Sequence, residues 1–229
     1  DMVGGRLLAI FSDITLDGEE NGKDRISQFF PQTAPYIVTL DALNGTLYYA
    51  SGEPLFDMML SIVHEGKMVA GVIYVPATRQ FYIGLSDGAY ACPWPVLQHA
   101  GIAWGAYKRP AAHPTVMLSK TTPPDVRATV EQLGYKTVVS ATDYTPGMPW
   151  TFATRGILDG TLCALFKDEG HRHDFGVIAF IAEQAGFICD PHAWDPATKV
   201  MHPTLICGSQ DVHDQLAPLV GREAAAAWR

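Results

Sequence analysis

The sequence predicts a mixed α and β fold in which the two halves of the chain follow different patterns. Residues 56–85 contain three strand-length runs joined by short turns, which is typical of an antiparallel meander. In the second half of the chain, strand-length and helix-length segments alternate, which is typical of an α/β arrangement. Four prolines between Pro93 and Pro114 mark the change of pattern. We therefore predict an N-terminal α+β half over residues 1–108 and a C-terminal α/β half over residues 109–229.

In the N-terminal half, each element is indicated by its local pattern. Residues 6–11 are typical of the end of an amphipathic helix, and the polar, glycine-rich segment from Asp17 to Lys23 predicts a loop. The apolar, β-favouring run at 36–40 predicts a strand. The strands of the meander are expected at residues 56–63, 68–75 and 80–85.

In the C-terminal half, short apolar runs alternate with helix-length segments. Two glycines, Gly134 and Gly186, follow predicted helices and are expected to end them. Strands are expected at residues 115–118, 136–140, 161–166, 187–189 and 204–207. Helices are expected at residues 124–133, 148–158, 175–185 and 210–220.

Composition excludes some classes of function. The chain has 229 residues, of which 48% are hydrophobic and 17% are charged, as in most globular proteins. Its formal net charge of −8 argues against a nucleic-acid-binding surface, because no stripe of lysine and arginine could neutralise phosphates. Four scattered cysteines without a CxxC pair indicate reduced thiols in a cytoplasmic protein. No apolar run has the length of a membrane span.

One stretch combines charge with a tight turn. Asp41-Ala42-Leu43-Asn44-Gly45-Thr46 directly follows the predicted strand at 36–40. A carboxylate, an Asn-Gly turn and a hydroxyl at the end of a strand place polar groups at the edge of a sheet. An Asn-Gly pair also favours a tight turn by itself, but a turn does not explain the flanking Asp41 and Thr46.

Two further segments carry carboxylates: Gly18-Glu19-Glu20, and His171-Arg172-His173-Asp174-Phe175-Gly176. Taken singly, Glu20 is consistent with a solvated loop and Asp174 with a helix N-cap. Taken with residues 41–46, these segments resemble the inositol monophosphatase family of metal-dependent phosphatases. The family motif Asp-Pro-Ile-Asp-Gly-Thr aligns without gaps with residues 41–46, and the resemblance covers nearly the whole chain from Leu7.

The resemblance implies a layered αβαβα sandwich of the sugar-phosphatase type, with the site between the two halves. Relatives carry a long helical segment before the Gly-Glu-Glu position, most of which is absent from this sequence, so we expect the protein to continue before Asp1. Glu20 matches the second Glu of that motif, and Glu19 is the fallback because the spacing differs slightly.

The resemblance also implies a ligand set for two or three Mg²⁺ ions. Asp41 would bridge two metals, and Leu43 would contribute its backbone carbonyl. Asn44 and Asp174 would hold the second metal, while Glu20 would bind metal and orient the attacking water. The implied activity is Mg²⁺-dependent hydrolysis of a small phosphomonoester, such as an inositol monophosphate or a related sugar or nucleotide phosphate, by a protein that forms homodimers as its relatives commonly do.

Substrate contacts are implied for four residues. Gly45 and Thr46 would offer backbone N–H groups to the phosphate, and the Thr46 hydroxyl would help to orient the water. Lys167 stands where inositol-specific relatives carry a glutamate, so it could meet a second anionic group of the substrate, or it could be a solvated residue at the end of a strand. Bisphosphate substrates therefore stay open, and His171 could contact the substrate.

Asn44 is the largest departure from the family pattern. An amide oxygen can coordinate Mg²⁺ but brings no charge, so we expect weaker binding of the second metal and a slower reaction. Three explanations stay open: a substitution introduced on purpose, a relative with low or no activity, and a lineage whose ester needs less help at the second metal. We favour the last, and the alternative function is a non-catalytic protein that binds phosphate ligands. His173 in place of tryptophan and Gly176 in place of alanine are smaller departures.

Overall fold

The computed structural model describes residues 13–18, 34–65, 67–94, 102–103, 114–118, 122–139, 156–166, 175–190 and 204–226. These residues form two β-sheets, of seven and five strands, with helices packed on them. The first sheet contains its strands in chain order: β1 (Ile14–Gly18), β2 (Tyr36–Asn44), β3 (Asp57–His64), β4 (Lys67–Val75), β5 (Gln80–Leu85), β6 (Gly88–Pro93) and β7 (Ile102–Ala103). A short helix, α1 (Thr46–Ala50), follows β2.

The first sheet is the predicted antiparallel meander, extended at both ends. Strands β2 to β7 pair antiparallel with their neighbours, whereas β1 runs parallel to β2. The loop prediction was wrong for Asp17 and Gly18, which end β1. The rest of that loop and the helix end predicted at residues 6–11 lie outside the described residues. This strand forms because Ile14 and Leu16 alternate with polar residues and are both buried. The meander also continues beyond the predicted end at residue 85, through β6 and β7.

The second sheet is mixed. Its strands are β8 (Thr115–Leu118), β9 (Thr137–Val139), β10 (Leu162–Phe166), β11 (Ile188–Asp190) and β12 (Thr204–Cys207), in the spatial order β11-β12-β10-β8-β9. Strands β8, β9 and β10 are parallel, as the alternation of strand and helix predicts, and β12 is antiparallel to both of its neighbours.

Three of the four predicted helices of the second half occur where the sequence predicts them, and residues 148–155 of the fourth lie outside the described residues. They are α2 (Pro124–Gln132), α3 (Phe175–Gln184) and α4 (Gln210–Ala226), and residues 156–159 are also helical. Gly134 and Gly186 follow α2 and α3 with positive φ angles of 89° and 77°, as expected for helix-ending glycines. Helix α4 is longer than predicted, because it continues past Pro218 and residue 220 to Ala226.

The hydrophobic core shows that the elements are layered. Helix α3 lies between the two sheets, where its Ile178 and Ile181 join a cluster with Met59 and Ile73 of the first sheet and Met117 of the second. On the far side of the second sheet, a separate cluster packs under α2 and α4. The described layers are therefore sheet, helix, sheet and helices, which is an α+β layered sandwich as predicted.

Two paired glycines let α3 approach the first sheet closely. Gly71 on β4 and Gly84 on β5 are cross-strand partners, and both lie under α3. A Cβ atom at Gly84 would lie 3.0 Å from the Cα of Ile181. Glycine at this position therefore leaves the space that the helix backbone occupies.

The cysteines are free thiols, as expected. Cys163 and Cys207 face each other on β10 and β12 with 3.0 Å between their sulfurs, and both are buried. Burial raises the pKa of the Cys163 thiol well above its ordinary value, and the hydrogen bond to Cys207 raises it further. Among the helices that the structure describes, none has both the length and the apolar character needed to cross a membrane.

Candidate functional site

Buried polar side chains are concentrated at one place in the described structure. Among the described residues, the buried polar and charged side chains all lie on β2 and β3: Thr39, Asp41, Asn44, Asp57 and Ser61. Thr39 pairs with Ser61 and Asp41 pairs with Met59, so these side chains share one face of the sheet. Met59 belongs to the core around α3, which identifies this face as the inner one. The candidate site therefore lies between the first sheet and the layer that covers it.

An irregularity in β2 turns Asp41 and Asn44 to the same side. Asp41 is opposite Met59 and Asn44 is opposite Asp57, so β2 advances by three residues while β3 advances by two. The extra residue is a β-bulge. Side chains three positions apart in a regular strand lie on opposite faces, but here both are buried. The bulge is stabilised locally, because the Leu43 backbone N–H donates a 2.9 Å hydrogen bond to Asp41 Oδ1.

The turn after β2 requires glycine. Gly45 has a φ of 86°, and a Cβ atom there would lie 2.8 Å from the carbonyl oxygen of Leu55. Helix α1 begins at the next residue, and its first hydrogen bonds run from the N–H groups of Tyr48 and Tyr49 to the Gly45 carbonyl. The Thr46 hydroxyl donates a 2.9 Å hydrogen bond to the Leu43 carbonyl oxygen. The turn is thus held by the residues of the motif itself.

Asn44 has an acidic partner that the local sequence pattern does not predict. Its Nδ2 donates a 2.9 Å hydrogen bond to Oδ1 of Asp57, which is the first residue of β3 and is fully buried. The same nitrogen lies 4.0 Å from the sulfur of Met59. A sequence signal was present, since Asp57 is a carboxylate inside the apolar run 55–60. A buried carboxylate is costly unless it is hydrogen-bonded or neutralised, so such a residue indicates a specific role.

The structure brings part of the predicted site together. Asp41, Leu43, Asn44, Gly45 and Thr46 are contiguous at the end of β2 and form the bulge and the turn. The remaining predicted residues lie outside the described ranges: Glu19, Glu20, Lys167, His171 and Asp174. In the part of the chain that the structure describes, no three His, Cys, Asp or Glu side chains form a group that could hold a metal ion. The complete ligand set therefore stays a prediction.

Comparison with known proteins agrees with the motif. The chain is 25% identical over 231 aligned positions, spanning 93% of its own length and 76% of the relative, to the probable inositol 1-monophosphatase ImpA of Mycobacterium tuberculosis. It is 28% identical over 107 positions to the fructose-1,6-bisphosphatase/inositol-1-monophosphatase of Aquifex aeolicus, covering 43% of this chain and 38% of that protein. No protein-family model matches the chain.

Solved structures of the same kind superpose on most of the chain. An inositol monophosphatase family protein from Staphylococcus aureus, crystallised with Ca²⁺, matches with a TM-score of 0.67 at 13% identity, covering 96% of this chain and 79% of the other. An IMPase/NADP phosphatase complexed with Mg²⁺ and phosphate matches with the same TM-score and identity, covering 95% of this chain and 77% of the other. The chain is therefore similar in sequence to inositol monophosphatases and shares the fold of these solved structures.

The polar groups at the end of β2 fit a hard cation. The donors present are the Asp41 carboxylate, the Asn44 amide and the Leu43 carbonyl, and all of them are oxygen donors of the type that Mg²⁺ and Ca²⁺ prefer. Asp41 and Asn44 are 3% and 7% exposed. A positive ion would offset the cost of burying carboxylate at this position.

The position of the N-terminal end of α3 bears on Asp174, the last predicted ligand. At its N-terminal end, a Cβ atom at Gly176 would lie 3.4 Å from Met68 on β4, whereas Ile181 lies over Gly84 on β5. The N-terminal end of the helix therefore lies near the Met68–Val63 pair, which is at the other end of β3 from Met59, the partner of Asp41. Asp174 immediately precedes this helix in the sequence.

Proposed function

We propose that the chain is a Mg²⁺-dependent phosphomonoesterase that acts on a small phosphorylated metabolite, either an inositol monophosphate or a related sugar or nucleotide phosphate. The observation that carries this proposal is the group of buried polar side chains at the bulge of β2, inside the family motif. In a family of phosphatases, a buried carboxylate beside an amide and a carbonyl is suited to holding a divalent cation against a phosphate.

The proposed cation ligands come from both halves of the chain. Asp41, Asn44 and the Leu43 carbonyl would hold Mg²⁺ together with Glu20 and Asp174. When bound, Mg²⁺ would neutralise phosphate charge and lower the pKa of a bound water. We propose that residues 1–108 contribute the motif and that residues 109–229 complete the site.

The phosphate would be bound at the start of α1. The first N–H groups of any helix lack acceptors within the helix, so those of Gly45 and Thr46 could donate to phosphate oxygens. The Thr46 hydroxyl already donates its proton to the Leu43 carbonyl. Its oxygen would therefore accept a hydrogen bond from the attacking water, and Glu20 would accept the other proton of that water. These two acceptors would aim a lone pair of the water at phosphorus.

The identity of the ester depends on residues further along the chain. We propose that Lys167 and His171 contact the part of the substrate remote from the scissile phosphate, with Lys167 favouring a second anionic group. The names of the similar proteins from Mycobacterium tuberculosis and Aquifex aeolicus refer to inositol 1-phosphate and to fructose 1,6-bisphosphate. Homodimer formation and a cytoplasmic location stay predictions of the sequence analysis.

Phosphate release is the direct test. The full chain is incubated with Mg²⁺ and inositol 1-phosphate, fructose 1,6-bisphosphate or NADP, and inorganic phosphate is measured by a colorimetric assay. We expect release that requires Mg²⁺ and is lost in Asp41→Asn. If neither this chain nor a variant with aspartate at position 44 releases phosphate from any ester, the enzymatic proposal is wrong. Binding of inorganic phosphate by such an inactive chain would then support the non-catalytic alternative.

A further inference from the structure

The family motif has an aspartate where this chain has Asn44. The hydrogen bond between Asn44 and Asp57 links that position to a buried carboxyl group. Asp57 is 0% exposed and pairs with Asn44 across β2 and β3. It stands at the inward-facing start of a strand whose other inward residues include Met59 and Val63. Because removing a carboxylate from water is unfavourable, its presence among apolar residues needs a compensating interaction. The contact with Asn44 supplies one.

The contact also determines how the amide of Asn44 is oriented. Oδ1 of Asp57 accepts the hydrogen bond from Nδ2 of Asn44, so the group that faces Asp57 is the amide nitrogen. The same nitrogen is the atom directed at the Met59 sulfur. The amide is planar, and its oxygen lies on the other side of Cγ from the nitrogen. Asp57 therefore holds Asn44 in the rotamer whose oxygen, rather than its nitrogen, is directed away from β3.

The same contact places a carboxyl group beside position 44. The family motif carries an aspartate at position 44, whereas this chain has a neutral amide there and a carboxylate one hydrogen bond behind it. The pair Asn44–Asp57 has the formal charge of the single aspartate that it replaces. A hydrogen bond to a charged acceptor is stronger than a neutral one and polarises the donor amide, which makes the amide oxygen a better ligand for a cation.

We propose that Asp57 is a positioning residue for the second cation site, and that Asn44 and Asp57 together replace the second aspartate of the motif. Asn44 presents an oxygen ligand, and Asp57 fixes its orientation and supplies the negative charge. This inference rests on the proposed function only in assuming that a divalent cation binds at the end of β2; it does not require turnover.

The test exchanges the two side chains. Asp57→Asn removes the charge, and Asn44→Asp/Asp57→Asn moves it to the position that the family motif gives it. Ser61→Ala is the matched control, because it removes a buried hydrogen bond with Thr39 on the same face without changing any carboxylate. Mg²⁺ affinity of the full chain is measured by calorimetry, and Mn²⁺ loading by electron paramagnetic resonance. Unfolding in the presence of a chelator reports whether each variant is folded.

We expect Asp57→Asn to weaken Mg²⁺ binding by about 10–100-fold, the range for loss of a partner behind a metal ligand. The exchanged pair should bind Mg²⁺ much more tightly than Asp57→Asn, since its charge is restored. Ser61→Ala should lose stability but keep its affinity. Asn44→Asp alone would set two carboxylates at hydrogen-bonding distance, so its melting temperature in chelator should fall and its stabilisation by Mg²⁺ should exceed that of the unmodified chain.

The outcomes separate this inference from the proposed function. A folded Asp57→Asn variant that binds Mg²⁺ as tightly as the unmodified chain would overturn it, even if phosphate is released. Should Asp57→Asn not fold, the exchanged pair decides: binding comparable to that of the unmodified chain supports the inference, and a loss as large as that expected for Asp57→Asn overturns it. Loss of Mg²⁺ affinity in Asp57→Asn, rescued by the exchange, supports it even if no ester is hydrolysed. A chain that binds no divalent cation overturns both proposals.

Discussion

The close approach of α3 to the first sheet makes Gly84→Ala a severe change for so small a substitution. The added Cβ would lie 3.0 Å from the Cα of Ile181, which is helix backbone and cannot rotate away. Overpacking of this kind costs about 1–3 kcal/mol. Replacing glycine inside a strand recovers roughly 0.5–1 kcal/mol. We therefore expect Gly84→Ala to lower the free energy of unfolding by about 1–2 kcal/mol.

Gly71→Ala is the matched control, because Gly71 pairs with Gly84 under the same helix. Its added Cβ would lie 3.3 Å from side-chain atoms of Phe180 and Val177, and side chains can shift by a few tenths of an ångström. We expect its free energy of unfolding to lie within about 0.5 kcal/mol of the original, since the strand preference offsets the crowding.

Urea unfolding followed by circular dichroism measures both variants. For a chain of this size, each kcal/mol also corresponds to a shift of about 2–4 °C in the melting temperature. If Gly84→Ala is no less stable than Gly71→Ala, the closeness of the helix backbone does not limit position 84, and the packing argument is wrong. Because α3 follows Asp174 directly, Gly84→Ala should also weaken Mg²⁺ binding more than Gly71→Ala does.

Three further predictions concern the site and the second sheet. Gly45→Ala should destabilise the chain by about 1–3 kcal/mol in chemical unfolding, because φ is 86° and the new Cβ would lie 2.8 Å from a carbonyl oxygen. Gly52 also has a positive φ, but the space around it is open. Equal stability of Gly45→Ala and Gly52→Ala would therefore contradict the steric part of this argument. Asp41→Asn should lower phosphate release by about a hundredfold or more while the chain stays folded, and wild-type turnover in this variant would remove Asp41 from the mechanism. Cys163 should resist thiol reagents in the native state, and rapid labelling without unfolding would contradict this. Burial raises the pKa of this thiol in the folded state. The thiol should therefore stabilise the fold below the ordinary thiol pKa of about 8.5, and this contribution should be lost as the pH rises above that value.

Local patterns predicted most of the elements, because each depends on residues that are close in sequence. The meander follows from alternation in β3, β4 and β5, and α2 follows from an apolar face between Pro124 and Gly134. Strand β1 was not predicted, because the polar segment that follows it made Asp17 and Gly18 resemble a loop. Helix α4 was predicted too short, since its continuation past Pro218 is not indicated by local preference.

The candidate site was predicted where the sequence is contiguous and not where it depends on pairing between strands. Residues 41–46 were recognised together because they form one motif. The bulge that turns Asp41 and Asn44 inward depends on their register against β3, which sequence spacing alone does not give. Asp57 was not predicted for the same reason. The role of a single aspartate in an apolar run depends on its cross-strand partner, which the sequence alone does not identify.

The bulge of β2 also determines which motif position tolerates change. By inserting one residue, it turns its two flanking polar positions inward and leaves Ala42 exposed on the outside. The family motif carries proline at this position. Alanine and proline are both compatible with it because the side chain is exposed. A cysteine introduced at Ala42 could therefore carry a fluorophore close to the proposed cation, yet on the opposite face of the strand, and would report ion loading without occupying the site. Insertions and deletions here would behave quite differently from substitutions, because losing one residue would exchange the inner and outer faces beyond it.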